Sequence, residues 1–187
     1  MPFEEIRQSQ FVLTYGPGAI RETQWGPRLI LEAGPGLFGD GRITPDGLEI
    51  PARRLRGVLG HEARVFRPPS AGEPAWKTKR FPGWYLCPDH WLLYSRRCPE
   101  CGKREAGHAV RFVMACPAGH LDDVNWRYLL HGDRRCAREE GFRWIGGRSS
   151  VGQIELECPG CGVRTRLASA YQRGWNCTGR RPEAEPP

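Results

Sequence analysis

Cys87-Pro88-Asp89-His90 and Cys98-Pro99-Glu100-Cys101 decide how this chain is read. Each knuckle offers two soft ligands from one tight turn, and Trp91 to Arg97 between them leave room only for a short hairpin-like excursion. Four ligands then converge on one tetrahedral ion. This is zinc-ribbon geometry, with a thiolate-rich set suited to Zn²⁺ and no vacant position for substrate water. The implied role is structural. The eight cysteines could instead form four disulfides. Met1 to Arg7, however, carry early acids and no apolar signal core. The expected compartment is the cytoplasm, where closely spaced cysteine pairs favour metal over disulfide.

A second set follows: Cys136, the knuckle Cys158-Pro159-Gly160-Cys161, and Cys177. Gln153-Ile154-Glu155-Leu156-Glu157 alternates as a half-buried strand entering the knuckle. Four thiolates again make one closed site, and two zinc ions per chain are expected. The alternative joins Cys116 and His120 to Cys158 and Cys161, leaving Cys136 and Cys177 outside. His61 and His108 stand alone and read as ordinary imidazoles.

In a chain of 187 residues, 24 Gly and 17 Pro indicate a loop-rich build with a modest core. Bound metal supplements such cores, because its binding energy becomes folding energy. No apolar run approaches the ~20 residues needed to cross a bilayer. Net charge is +7, and of 28 basic residues only Lys77, Lys79 and Lys103 are lysines. Guanidinium groups suit phosphate. Two clusters, Arg53-Arg54-Leu55-Arg56 and Lys77-Thr78-Lys79-Arg80, are candidate nucleic-acid contacts, against the alternative of a solvated face.

The expected fold is α+β and loop-rich: small antiparallel sheets, two zinc-ribbon-like knuckle sites and a few short helices. Residues 1–80 form an N-terminal strand and loop region, with a strand over Phe11 to Tyr15 turned by Gly16-Pro17-Gly18. A short helix near Arg53 to His61 places Leu55, Val58 and Leu59 on one face. Arg67 to Pro74 reads as a loop or hinge. Residues 81–182 hold both zinc sites, and residues 183–187 a flexible tail. Arg111 to Cys116 reads as a buried strand. A helix follows Asp122-Asp123, one of which caps it, with Val124, Tyr128 and Leu129 on its apolar face, His131 near its negative end and Gly132 closing it.

Enzyme motifs fail on inspection. His61-Glu62 lacks the second histidine of a zinc-peptidase helix, the deaminase pattern is incomplete, and no phosphate-binding loop with its lysine occurs. Helix capping explains Asp122-Asp123 more simply than catalysis. A non-enzyme is expected.

Several ordered motifs carry a resemblance: Arg7-Gln8-Ser9-Gln10, Tyr15-Gly16-Pro17-Gly18-Ala19, Arg80-Phe81-Pro82-Gly83-Trp84 and Arg111-Phe112-Val113. Cys116 with Gly119-His120-Leu121-Asp122-Asp123 and Trp126 follows, then Cys177-Thr178-Gly179-Arg180-Arg181-Pro182. Together they resemble the N-terminal part of the DrmB family, the helicase-partner subunit of DISARM antiphage systems. The resemblance implies defence against foreign DNA beside a DrmA-like helicase. Family members continue into a larger C-terminal domain, and a Trp usually stands where this chain has Glu183. A separate C-terminal DrmB-like chain is therefore an expected partner if the subunit is split; truncation is the alternative. Trp25, Trp76 and Trp175 are candidate interface aromatics. A stand-alone zinc-ribbon nucleic-acid-binding accessory protein outside defence is the other function class.

Overall fold

The computed structural model describes residues 7–32, 49–62, 64–67, 77–104, 107–146 and 150–185. The chain forms two compact units, residues 1–80 with 181–187, and residues 81–180. The fold is α+β, built from small antiparallel sheets and short helices.

In the first unit the segment read as a strand is helical: α1 spans Gln8–Leu13. A five-residue apolar run does not by itself separate strand from helix. Here the Gln10 side chain accepts from the Arg7 N–H, satisfying one of the free donors of the first turn. The sheet begins later, with β1 (Ile20–Thr23), β2 (Gly26–Ile30) and β3 (Thr78–Arg80) in that order, all antiparallel. The β1–β2 turn is stabilised by Thr23, whose hydroxyl donates to the Gly26 carbonyl and accepts from the Trp25 N–H. Leu29, Ile30 and Leu31 are buried and form the apolar centre of this unit.

Helix α2 (Arg53–Leu59) occurs where expected, but the face read as apolar is exposed: Leu55, Val58 and Leu59 are 50%, 84% and 65% accessible. The loop or hinge reading falls partly on 68–74, outside the described residues, as does Trp76. The expected tail is not free over 183–185. Pro182–Ala184 form a 3₁₀ turn in which Pro182 and Glu183 are buried. The Glu183 carbonyl accepts from the Glu32 N–H at 2.8 Å, and Glu185 pairs with Lys79 at 2.8 Å.

The second unit contains β4 (Tyr85–Leu86), β5 (Leu92–Tyr94), β6 (His108–Ala109), β9 (Phe142–Ile145), β10 (Glu155–Glu157) and β11 (Arg164–Arg166). They form one antiparallel sheet in the order β11-β10-β9-β5-β4-β6. β9 joins the two knuckle hairpins, pairing Phe142 with Leu93 on one side and Trp144 with Leu156 on the other. A separate hairpin pairs β7 (Val113–Ala115) with β8 (Leu121–Asp123). The run read as a buried strand is thus shorter, and it is only partly covered because it pairs on one edge alone.

Helix α3 (Trp126–His131) starts later than expected. Asn125 caps it, its Oδ1 accepting from the Tyr128 N–H at 2.9 Å, while Asp122 and Asp123 belong to β8. Gly132 ends the helix at φ 56°, a left-handed conformation that costs glycine little. The helix buries Trp126, Leu129, Leu130 and His131. Trp126 lies at the centre of the core, with its ring 6.2–6.4 Å from those of Phe112, Trp84 and Trp144 in edge-on packing.

Candidate metal centres

Three hairpins in the second unit repeat one local design. The Cys87 N–H donates to the Leu92 carbonyl and the Trp91 N–H returns to the Cys87 carbonyl. Cys98 makes the same pair with Lys103 and Gly102, and Cys158 with Val163 and Gly162. The residue after the second ligand enters the left-handed region, with φ 53° at Trp91, 67° at Gly102 and 72° at Gly162. The turn reverses the backbone and brings both ligand side chains to one side. Backbone N–H groups converge on the first sulfur as a result. Burial alone would raise the Cys87 thiol, but the His90 side chain and the His90 and Asp89 N–H groups bring it down to about 7. Burial dominates at Cys98 and Cys158 and holds both thiols above their ordinary range.

The first cluster contains Cys87, His90, Cys98 and Cys101. His90 Nδ1 lies 3.4 Å from Cys87 Sγ and 3.7 Å from Cys98 Sγ, and Cys87 and Cys101 sulfurs are 3.8 Å apart. Two thiolates held at about 2.3 Å by one tetrahedral ion stand about 3.8 Å apart, and a thiolate and an imidazole nitrogen about 3.6 Å apart. The observed spacings fit one shared ion and are far longer than a disulfide of about 2.05 Å. All eight cysteines are free.

The second cluster differs from the expected one. Cys136, Cys158 and Cys161 are together, but the fourth member is His131, not Cys177. Cys136 follows α3 closely, so the helix end and the β10–β11 knuckle meet, and Cys136 and Cys158 sulfurs are 3.8 Å apart. The Arg138 N–H lowers the Cys136 thiol against the effect of burial. His131 Nδ1 lies 3.1 Å from the Arg127 carbonyl, whereas its buried Nε2 has no hydrogen-bond partner. A buried nitrogen without a partner is costly unless a ligand or ion meets it. With Nδ1 donating to the backbone, the tautomer and ring orientation suit coordination through Nε2. The helix-end reading of His131 missed this, although the His131-x4-Cys136 spacing carried the signal.

The third cluster gathers Cys116, His120 and Cys177. Cys116 and His120 flank the β7–β8 turn, where the Gly119 N–H donates to the Cys116 carbonyl. His120 Nδ1 lies 3.5 Å from Cys116 Sγ and 3.3 Å from Cys177 Sγ, with the two sulfurs 3.6 Å apart. Cys177 reaches this hairpin because Arg180 anchors its segment. The Arg180 carbonyl accepts from the Leu121 N–H at 3.1 Å, and its guanidinium pairs with Asp122 at 2.6 Å and Asp123 at 3.5 Å. Asp123 also accepts from the Gly83 N–H at 2.7 Å. Neither expected grouping of Cys116 and His120 with Cys158 and Cys161, nor of Cys177 with Cys136, occurs.

These clusters could hold metal ions at two or three sites. We expect Cys136→Ser and His131→Gln each to lower bound metal by one ion per chain, while His61→Ala leaves it unchanged, as elemental analysis would read. Metal retained in full by His131→Gln would remove the histidine from the ligand set.

The candidate phosphate-binding residues are in the first unit. Arg53 and Arg54 are exposed on α2, whereas Arg56 donates to Glu49 at 2.7 Å and Lys79 is engaged by Glu185. Lys77 precedes β3 and Arg80 ends it; both are half-buried. Trp25 is 39% exposed, and Trp175 packs on Tyr128 while its indole N–H donates to the Ala170 carbonyl. Among the described residues, no helix is long and apolar enough to cross a membrane.

Comparison with known proteins gives a relative 33% identical over 98 residues, the DISARM protein DrmB of Bacillus paralicheniformis. The match covers 49% of this chain and 17% of the relative. A family described as a domain of unknown function (DUF8724) matches residues 7–186, and the chain belongs to that family.

Proposed function

We propose that the chain is a non-catalytic zinc-binding subunit of a bacterial antiphage defence complex, acting in the cytoplasm beside a DrmA-like helicase. The assembly contacts DNA. The observation carrying this reading is the 33% identity to a DISARM protein DrmB. The thiolate-rich clusters support zinc as the ion, since tetrahedral sulfur and imidazole sets suit it. Ion binding holds the hairpin turns rigid and presents their outer residues in a fixed arrangement.

Copurification with the products of neighbouring genes tests the assembly: a helicase should be retained with this subunit. Recovery alone, or with transcription or ribosomal proteins, would overturn the defence reading. DNA contact is electrostatic in this account, so affinity should fall steeply with salt and depend little on sequence. Charge reversal at Arg53 and Arg54 should weaken low-salt binding more than reversal at Lys77 and Lys79, because Glu185 already compensates Lys79. Removing one cation that pairs with a phosphate should reduce the salt slope by about 1. A complex that ignores DNA at low salt would end the DNA part of the proposal.

A further inference from the structure

Cys116, His120 and Cys177 differ from the other two clusters in number and exposure. Among the described residues they are three, where each of the others has four. The first two clusters each contain two buried ligands, whereas here Cys177 is exposed and Cys116 and His120 are half-buried. Their spacings of 3.3 to 3.6 Å are near those of three corners of a tetrahedron around one ion. The nearby carboxylates are otherwise engaged: Asp122 and Asp123 face Arg180, and Asp123 also receives the Gly83 N–H. The three residues line a recess of about 80 Å³ whose other walls include Met114, Leu121, Trp175, Asn176 and Thr178.

We propose that this set is a third zinc-type site, with two thiolates, one imidazole and one exchangeable position taken by water or another small monodentate donor. It rests on the metal-binding reading above but assigns a different property to this ion. A site closed by four protein ligands only stabilises structure, whereas three protein ligands leave the ion able to accept a ligand from outside. Met114 and Trp175 give the recess an apolar wall beside which a small donor approaches. Cys177 also ties residues 175–180 to the β7–β8 hairpin through the same ion.

The test uses the full chain loaded with Co²⁺, whose visible absorption reports its ligands, with imidazole as the added donor. The expected result is three ions per chain, a shift of part of the visible spectrum on adding imidazole, and two ions with no shift in the Cys116→Ser/Cys177→Ser variant. Two ions in both proteins would overturn the third site while leaving the four-ligand sites intact. Three ions with a spectrum unmoved by imidazole would show that the chain itself fills the fourth position, which also overturns the proposal. Binding of no metal at all would remove this inference together with the metal-binding reading. Should the double variant fail to fold, the ion count and imidazole titration of the unaltered chain still decide the matter.

Discussion

Cys158→Ser is expected to abolish the cooperative unfolding transition of residues 81–180. Cys158 is 0% exposed and lies where the core meets the knuckle, packed with Phe142, Leu156 and Leu167. Its sulfur is also one of four candidate ligands, drawn from α3, the segment after it and the β10–β11 hairpin. Serine replaces the thiolate with a harder, shorter group and leaves a hydroxyl in an apolar setting. The apparent binding free energy of structural zinc is about 10–16 kcal/mol, comparable with the whole stability of a domain at about 5–15 kcal/mol. If an ion is held here, its loss therefore removes most or all of the folding free energy. Near-ultraviolet circular dichroism should be lost, and a strong chelator should bring the unaltered chain to the same end point. A variant that melts like the parent with one fewer ion would show that the apolar core alone suffices.

Trp126→Ala should be the most damaging change away from the metal ligands. The side chain is 1% exposed and packs against the rings of Trp84, Phe112 and Trp144, so truncation leaves a large cavity that short strands cannot close. The expected loss is about 3–5 kcal/mol, read as a lower urea midpoint with the slope unchanged. Trp25→Ala, on the exposed β1–β2 turn, should change stability by about 0.5 kcal/mol or less. Equal effects of the two substitutions would contradict the placement of Trp126 at the centre of the core.

Sequence alone determined the features whose causes are local. Cys-Pro-x-Cys and Cys-Pro-x-His turns predict their own shape, since four consecutive residues carry the ligands and the reversal. The alternation around Leu156 likewise predicted a strand entering a knuckle. The apolar run at Phe11 to Tyr15 was ambiguous, because a short run lacks enough turns for one period to prevail, and the hydrogen bond from Arg7 to Gln10 accompanies a helix. Tertiary structure alone decided which ligand pairs share a cluster. Cys177 lies 61 residues from Cys116, a separation over which spacing carries no information, and Arg180 holding to Asp122 brings them together. His131 read as a residue at the negative end of a helix, until the fold buried its Nε2 and placed the ring with three cysteines. Ligand identity follows from residue chemistry, but ligand partnership follows from how β9 joins two hairpins into one sheet and how a distant arginine anchors the third cluster.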